Sequence, residues 1–234
     1  MKINNVHIIT IDHTKEYYQN AIERLNFFNL EDDRKISFSG EKGFLIQKQD
    51  QEYYLKYPNW NLHNSGNSFW DRDMTSGEYG CIISHMKTWM RCYANNRNPI
   101  LILEQDFFPL YNLNWDVLNE VDDYDWDIIL LGRVPLDKND QEVGLNYFVK
   151  PGYSYQAHAY ILSKSGLKKI QDNWETLRNN LIPTDEFLPA LYSKHPRPDI
   201  EAMYPNKINA LALRVDAIAQ SDWEGTGRSR TAPK

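Results

Sequence analysis

The chain contains 234 residues, of which 41% are hydrophobic, and it carries a formal net charge of −6 with a sequence pI of about 5.5. This length and hydrophobic content allow a substantial core and argue against wholesale disorder. The acidic balance argues against a general nucleic-acid-binding protein, so an anionic substrate would need a metal ion or a local basic site.

The start of the chain and its hydropathy bear on its location. No amino-terminal segment resembles a signal peptide, and no apolar run approaches the length of a membrane span. We therefore expect a soluble, cytoplasmic protein without a membrane-spanning segment.

The first part of the chain predicts a strand, a helix and a long polar segment. A buried strand is predicted from Val6 to Ile11, and apolar residues at helical spacing predict a helix from about Thr14 to Phe28. Residues 31–75 are polar and weakly periodic, which predicts one or two short strands and a long loop near a site. This segment contains three large aromatic side chains, Trp60, Phe69 and Trp70. They favour a lid that closes over a bound ligand, and the alternative is that they pack against the body of the protein.

The clearest helix is predicted to begin at Thr75. The sequence Thr75-Ser-Gly-Glu78 fits a capping box, and Asn95-Asn96 ends the helix. Its apolar face consists of Tyr79, Ile82, Ile83, Met86, Trp89, Met90 and Tyr93. A short buried strand, Ile100 to Glu104, follows it.

The second half of the chain alternates helices and short strands. We predict a helix near 113–121, a strand from Trp126 to Leu131, a strand from Ala157 to Leu162, a helix from Ser163, a helix from about Thr184 to near Ser193, and one or two strands within Met203 to Val215. The sequence is polar from Gln220, and we expect a flexible tail from about residue 225. This alternation predicts an α/β sandwich with a mainly parallel central sheet, in a single domain over residues 1–234.

The strand predicted at Ile100 to Glu104 ends at two acids, Glu104 itself and Asp106. Glu104 and Asp106 would point the same way if the strand continued past Glu104, because side chains alternate along a strand. Two oxygen ligands at the carboxyl edge of an α/β sheet suit a divalent cation that bridges phosphate oxygens. The alternative is a strand end whose acids face solvent.

A polar stripe follows one flank of the long helix. It contains Glu78, Cys81, His85, Thr88 and Cys92, and it could meet a ligand over the sheet edge or simply satisfy a neighbouring loop. The two cysteines are too far apart to form a disulfide. Without histidine partners at ligand spacing they do not indicate zinc either.

Further acids occur at two predicted helix or strand boundaries. Asp185 and Glu186 follow Pro183-Thr184 at a helix start, where they could complement the helix dipole or cap the helix. A catalytic base at this position would need burial to bring its pKa towards neutrality. The acids Asp122, Asp123, Asp125 and Asp127 are interpreted as caps and turn formers.

Several common catalytic motifs are absent from the sequence. It contains no phosphate-binding G-x-x-x-x-G-K-[ST] loop, no G-x-G-x-x-G after the first strand and no G-x-S-x-G elbow. Kinases, Rossmann dehydrogenases and α/β-hydrolases are therefore poor candidates.

Five segments, taken in order, resemble glycosyltransferase family 25, which holds bacterial lipooligosaccharide galactosyltransferases and procollagen galactosyltransferases. The segments are Gly77-Glu-Tyr-Gly-Cys-Ile-Ile-Ser-His85 with Trp89, Leu103-Glu-Gln-Asp106, Trp126-Asp-Ile-Ile-Leu-Leu-Gly-Arg133, Tyr153-Ser-Tyr155 with Ala159-Tyr160 and Ser163 to Gly166, and Leu181 to Pro189 with Lys194-His-Pro196. The resemblance covers roughly residues 75–225, and its last segment is most similar to the procollagen branch.

Two positions depart from the family pattern. The family's first strand usually leads into a basic Asp-Arg-Arg element, whereas Thr10-Ile-Asp12 here leads into Thr14-Lys-Glu. Gln105 replaces an acid in the middle of the family's Leu-Glu-Asp-Asp motif, although Glu104 and Asp106 keep the outer acids. The first departure leaves the nucleotide contacts open, with Thr10 as a candidate.

The resemblance implies a single-domain glycosyltransferase of the GT-A type, which would transfer galactose or glucose from UDP-galactose or UDP-glucose with inversion. The implied cofactor is Mn²⁺ or Mg²⁺, held by Asp106, Glu104 and Asp222. The implied base is Asp185, with Glu186 as the alternate. Implied contacts to donor or acceptor are Thr10, Glu78, His85, Glu104, Tyr155 and His158.

The acceptor implied by the procollagen-like segment is hydroxylysine of a collagen-like peptide, with a bacterial glycan as the second possibility. Two other functional classes stay open. One is a catalytically inactive carbohydrate-binding or scaffold module of the same fold. The other is a metal-dependent phosphate-ester hydrolase that uses the same two carboxylates.

Overall fold

A computed structural model describes residues 2–28, 30, 34–155, 157–205 and 207–221. The candidate metal ligand Asp222 and the tail from residue 225 lie outside these residues. Among the helices of the described ranges, none combines the length and the apolar character that a bilayer span requires.

Twelve strands are formed by the described residues: β1 Asn5–Ile9, β2 Lys35–Ser39, β3 Ile100–Glu104, β4 Phe107–Pro109, β5 Ile128–Leu130, β6 Val134–Pro135, β7 Gln141–Glu142, β8 Phe148–Lys150, β9 Ser154–Tyr155, β10 Ala159–Leu162, β11 Ala210–Leu213 and β12 Ile218–Gln220. The seven α-helices are α1 Lys15–Asn26, α2 Lys48–Tyr53, α3 Ser76–Ala94, α4 Lys164–Asp172, α5 Trp174–Asn179, α6 Thr184–Tyr192 and α7 Pro198–Met203.

Eight of these strands form one central sheet in the order β2-β1-β3-β10-β5-β11-β8-β7. Strands β1, β2, β3, β5, β7 and β11 point in one direction, and β8 and β10 point in the other. The prediction of an α/β fold with a mainly parallel sheet is confirmed. Strands β4 and β12 pair beside the end of β3, so the chain near Gln220 returns to the candidate metal motif.

Two hydrophobic cores cover the two faces of this sheet. Along β3, Ile100 and Ile102 pack on one face with α3 and α6, whereas Leu101 and Leu103 pack on the other face with α1. This alternation is the period of two that a strand buried on both faces requires. Glu104 continues the first of these faces and therefore faces α3.

The helix α3 begins as its capping box predicts. The Thr75 hydroxyl accepts a hydrogen bond from the Glu78 backbone N–H at 3.2 Å, and the Glu78 carboxylate accepts one from the Thr75 N–H at 2.8 Å. Gly80 lies in the second turn, where an added Cβ would come within 2.5 Å of the Glu41 carbonyl oxygen. The glycine therefore allows residues 41–43 to pack directly on the helix.

Local differences from the predicted elements have simple causes. The segment near 113–121 is a 3₁₀-helix, Trp115–Val121, and the polar segment 31–75 contains α2 in addition to β2. Short helices of this kind lack the repeats on which periodicity depends. Asp127 is structural, as interpreted: its carboxylate accepts hydrogen bonds from Lys169 Nζ at 2.6 Å and from the Asn209 backbone N–H at 2.7 Å.

The aromatic loop, residues 54–75, packs against the body. Leu55 exchanges backbone hydrogen bonds of 2.7 Å with Arg178 and Leu181. Trp60 is only 3% exposed, and the guanidinium of buried Arg197 donates to its carbonyl oxygen at 2.6 Å. These contacts support the alternative interpretation of this segment, packing against the body, over a mobile lid.

This packing predicts the behaviour of the aromatic loop in limited proteolysis. Cleavage within residues 54–75 should occur at the same rate with and without UDP and Mn²⁺, because its anchoring contacts are internal to the fold. An Arg197→Ala variant should be cut faster in both conditions. Strong protection by UDP and Mn²⁺ in the unsubstituted protein would instead support a lid.

Candidate active site

The carboxylate of Glu104 lies at the centre of the candidate site, where β3 ends against α3. Its Oε1 accepts a hydrogen bond from His85 Nε2 at 3.0 Å and a second one from Cys81 Sγ at 3.4 Å. Its Oε2 accepts one from Gln220 Nε2 at 3.3 Å. Burial would raise the pKa of Glu104, but the hydrogen bonds that it accepts from His85 and Cys81, together with the two nearby imidazoles, outweigh this, so the pKa lies below its ordinary value.

A chain of buried groups orients His85. The Trp89 indole N–H donates to the Tyr160 oxygen at 2.9 Å, and the Tyr160 oxygen lies 2.7 Å from His85 Nδ1. The Tyr160 oxygen accepts the indole proton, and its own hydroxyl proton is free to point towards Nδ1. With the hydroxyl in that direction, the proton of a neutral His85 ring lies on Nε2, where it reaches Glu104.

Asp106 lies in the turn between β3 and β4, not on the strand. Strand β3 ends at Glu104, so the condition under which strand alternation would point both acids the same way is not met. The backbone N–H of Ser221, next to β12, donates to the Asp106 carbonyl oxygen at 2.8 Å. Asp106 is half-buried and its charge contributes, after burial, to the raised pKa of the Tyr17 phenol on α1.

Asp185 occupies the first turn of α6 and lies near Glu104. Cys81 links the two segments, since its Sγ is 3.5 Å from the Thr184 hydroxyl oxygen and 3.4 Å from Glu104 Oε1. Asp185 Oδ1 accepts a hydrogen bond from the Ala157 backbone N–H at 2.9 Å. Burial, together with the charges of the nearby carboxylates, raises the pKa of Asp185 to about 7, although the Ala157 hydrogen bond partly opposes this.

Glu186, the alternate base, is fully buried and saturated with hydrogen-bond donors. Its Oε1 accepts from Trp70 Nε1 at 2.9 Å and from the Tyr155 hydroxyl at 2.7 Å. Its Oε2 accepts from the Tyr153 hydroxyl at 2.6 Å and from His195 Nε2 at 2.7 Å. We call Glu186 and its four donors the Glu186 network. Because all four donors belong to the protein, the network indicates a structural role for this carboxylate and not a contact with substrate.

Two of the predicted ligand contacts are occupied within the protein. Glu78 forms a two-pronged ion pair with Arg72, with N–O distances of 2.8 and 2.6 Å, in addition to its capping role. Tyr155 is half-buried and belongs to the Glu186 network. Both residues interact electrostatically with Asp185. The charge of Glu78 contributes to the raised pKa of Asp185, and the charge of Asp185 contributes to the raised pKa of Tyr155.

His158 is buried beneath the candidate site. Its Nε2 lies 3.0 Å from the Ile218 carbonyl oxygen, and its own carbonyl oxygen accepts the Glu104 N–H at 2.8 Å. Gly132 makes this arrangement possible, since an added Cβ would lie 1.8 Å from the Ile218 oxygen and 2.8 Å from His158 Nε2. His158 therefore fixes the ends of β3 and β12.

Gln105 joins the candidate site to the first loop. Its side-chain oxygen accepts hydrogen bonds from the Thr10 hydroxyl at 3.2 Å and from the Ile11 N–H at 3.0 Å. Thr10 itself is buried at the end of β1 and caps the turn through the Asp12 N–H at 3.0 Å. The position that departs from the family motif thus connects the candidate metal motif to the loop after β1, where the sequence left the nucleotide contacts open.

Some site residues were missed in the sequence. Cys81 and His85 are four residues apart and share the polar stripe that the sequence predicted, but the sequence interpretation did not consider them as ligands of one ion. Trp70, Tyr160 and His195 meet their partners only through long-range packing. Nothing in their local sequence indicates those contacts.

The comparisons with known proteins agree with this architecture. The sequence model described as glycosyltransferase family 25 (LPS biosynthesis protein) matches residues 4–134, more than half of the chain. The chain belongs to glycosyltransferase family 25. The α/β sandwich with its mainly parallel sheet is consistent with the GT-A type of fold, so both the family and the fold class predicted from the sequence are confirmed.

Relatives of this chain carry different names. A glycosyltransferase 25 family member from Anopheles gambiae is 28% identical over 202 residues, which cover 84% of this chain and 33% of that protein. Procollagen galactosyltransferase 1-A from Xenopus laevis is 29% identical over 228 residues, or 93% of this chain and 36% of that protein. Inactive glycosyltransferase 25 family member 3 from Homo sapiens is 32% identical over 164 residues, which cover 66% of this chain and 27% of that protein. The chain thus spans about a third of the length of the relatives it matches.

Proposed function

We propose that this family 25 protein is a metal-dependent, inverting glycosyltransferase that moves galactose or glucose from a UDP-sugar to an acceptor hydroxyl. The observation that carries the proposal is Asp185, a carboxyl with a pKa of about 7 beside Glu104 at the end of β3. A base that titrates near neutrality is suited to take a proton from a hydroxyl.

The residues at the end of β3 fit a divalent cation by their chemistry. Glu104 Oε2 accepts one long hydrogen bond, 3.3 Å from Gln220, which a cation could replace. Asp106 follows two residues later, and oxygen ligands of this kind suit Mn²⁺ or Mg²⁺. Asp106 and Glu104 would hold the ion, with Asp222 as a further candidate outside the described residues. When bound, the ion would neutralise charge on the departing diphosphate.

In the proposed reaction, Asp185 acts on the acceptor, and Gln105 and Thr10 lie on the nucleotide side. Asp185 takes the proton of the acceptor hydroxyl while that oxygen attacks the anomeric carbon, and a single displacement of UDP inverts the configuration there. Asp185 Oδ1 is fixed by the Ala157 N–H, so Oδ2 is the oxygen that would receive the proton. Gln105 and Thr10 orient the loop after β1, where we place the nucleotide.

The names of the relatives support the choice of acceptor. Procollagen galactosyltransferases are similar to 93% of this chain, which favours hydroxylysine of a collagen-like peptide. The family description, LPS biosynthesis protein, supports a glycan as the second choice.

The relatives named inactive support a second candidate function. A protein that binds a UDP-sugar or glycan without transfer would keep the fold and lose the chemistry. Product analysis with UDP-galactose and UDP-glucose, each with a collagen-like peptide, separates the two: transfer to the peptide supports the enzyme, and UDP binding without product supports the binding module.

Removal of the metal should weaken UDP binding. Calorimetry in EDTA should give a large loss of UDP affinity, because an acidic protein would meet an anionic ligand without the bridging cation. Asp106→Ala should reproduce that loss even with Mn²⁺ present, and its melting temperature should hardly change because the residue lies in a turn.

Asp123→Ala is the matched control, since Asp123 is an exposed acid away from the site. It should bind UDP with unchanged affinity. Equal UDP affinity with Mn²⁺ and with EDTA would contradict metal dependence.

A further inference from the structure

Three side chains of different chemistry converge on one point between α3 and β3. The ligand atoms of Cys81, His85 and Glu104 all lie within 4.8 Å of one another. We infer that they form a second cation site, selective for Zn²⁺ and similar thiolate-binding ions and separate in chemistry from the proposed Mn²⁺ site. This inference corrects the sequence interpretation, which found no zinc signal at the cysteines.

Two of the three distances between the ligand atoms are close to those of a tetrahedral zinc site. With ordinary zinc–ligand bond lengths, tetrahedral angles place nitrogen and oxygen ligands about 3.3 Å apart and sulfur and oxygen ligands about 3.5 Å apart. The corresponding distances here are 3.0 Å from His85 Nε2 to Glu104 Oε1 and 3.4 Å from Cys81 Sγ to the same oxygen. The third pair, Cys81 Sγ and His85 Nε2, lies within 4.8 Å, whereas a tetrahedral site brings such a pair to about 3.6 Å, so these two side chains would move towards each other on binding.

The hydrogen bonds of the site already bring the three ligand atoms together. Cys81 and His85 both donate a proton to Glu104 Oε1, so the sulfur and nitrogen atoms lie on either side of that oxygen. On binding, the Sγ proton leaves to solvent and the imidazole proton moves from Nε2 to Nδ1. The Tyr160 oxygen 2.7 Å away can accept the proton on Nδ1 by rotating its own hydroxyl.

The fold holds two of the three ligands rigidly. Cys81 and His85 are one turn apart on the 19-residue helix α3, and His85 is fully buried against Trp89 and Tyr160. Metal-binding histidines commonly have such a second hydrogen bond, which fixes the ring. Cys81 is half-buried and the Glu104 side chain is 19% exposed, so the ion and a fourth ligand, a water, would approach from that side.

The ligand set determines the class of ion. A sulfur ligand together with an imidazole favours Zn²⁺, whereas Mn²⁺ and Mg²⁺ prefer oxygen. Because Glu104 is a ligand in both sites, Zn²⁺ bound by Cys81 and His85 would draw Glu104 away from Asp106. This part of the inference rests on the proposed function, and it predicts that Zn²⁺ weakens Mn²⁺-dependent UDP binding.

Cobalt spectroscopy tests the site without UDP, Mn²⁺ or any activity. Titration of the reduced protein with Co²⁺ should produce an intense near-ultraviolet sulfur-to-cobalt charge-transfer band that saturates at one ion and disappears when Zn²⁺ is added. Cys81→Ser should lose the band. Cys92→Ala should keep it, because Cys92 is the other free cysteine and lies in the core.

The remaining variants separate this site from the proposed function. Asp106→Ala should keep the band, whereas His85→Gln should weaken Co²⁺ binding at least tenfold while circular dichroism confirms that it is folded. Absence of the band in the unsubstituted protein, or its persistence in Cys81→Ser, would overturn the inference. Either result would leave the test of UDP affinity with EDTA unaffected.

Discussion

Replacing Asp185 with asparagine is expected to slow sugar transfer by about 10²–10⁴-fold, the usual cost of losing a general base. Asparagine has the same size, and its oxygen can still accept the Ala157 hydrogen bond, but it cannot take the acceptor proton. UDP affinity should hardly change, because the base lies on the acceptor side of the sugar. Transfer rates at saturating UDP-sugar, with calorimetry of UDP as the binding control, measure both effects.

The pH dependence of transfer provides a second measurement of the same group. As the proposed base, Asp185 would act only when ionised, and its pKa is about 7, so the transfer rate should fall about tenfold per pH unit below 7 and level off above it. Asp185→Asn should remove this dependence. An unchanged profile, or near wild-type transfer by the variant, would place the base elsewhere.

The same pKa shift fixes the sign of the effect on stability. The folded state binds the Asp185 proton more tightly than the unfolded state, so this group's contribution to stability is present below its ordinary pKa of 3.8 and is lost as the pH rises through about 7. Asparagine has no charge to desolvate. Asp185→Asn should therefore melt at the same temperature as the unsubstituted protein or slightly higher above pH 7.

Replacing Glu186 with glutamine is expected to lower the free energy of unfolding by about 2–4 kcal/mol, because its new amide N–H groups would face existing donors in the buried network. For a chain of this size that corresponds to a fall in melting temperature of roughly 5–15 °C. His195 cannot adapt by reversing its ring protons, since its Nδ1 already accepts the Arg197 N–H at 3.0 Å.

A matched control for Glu186 is available on the surface. Glu175→Gln removes an exposed ion pair with Arg178 and should change the free energy of unfolding by no more than about 0.5 kcal/mol. The folded fraction of Glu186→Gln should still transfer sugar, because this carboxylate contacts the protein and not the acceptor. A stable but inactive Glu186→Gln would reassign the base from Asp185 to Glu186.

The strongest local patterns in the sequence predicted the fold well. The capping box at Thr75, the strand ending at Glu104 and the helix starting near Thr184 all appear close to where they were placed. These features depend on neighbouring residues, and local sequence records them directly. The sheet order and the proximity of Glu104 to Asp185 depend on long-range pairing, which local sequence patterns do not record.

The candidate site was predicted in part. The sequence singled out Glu104 and Asp185 separately, and the structure brings them near each other. The common direction of Glu104 and Asp106 depended on a strand that continued past Glu104, whereas a turn follows β3. Glu186 is indistinguishable from Asp185 in the sequence, since both acids follow a helix start. Their difference comes from the partners that packing supplies: four donors for Glu186 and one backbone N–H for Asp185.

The side-chain oxygen of Gln105 receives two hydrogen bonds from the loop after β1, and a carboxylate at this position could accept the same two. Glutamine in place of an acid therefore keeps these two hydrogen bonds between the turn after β3 and the loop after β1, and it removes one negative charge from the edge of the sheet. Under the proposed function, a diphosphate at this edge would meet less repulsion and a cation would meet less attraction. Gln105 would then change the electrostatic balance between donor and metal while its two hydrogen bonds to the first loop are kept.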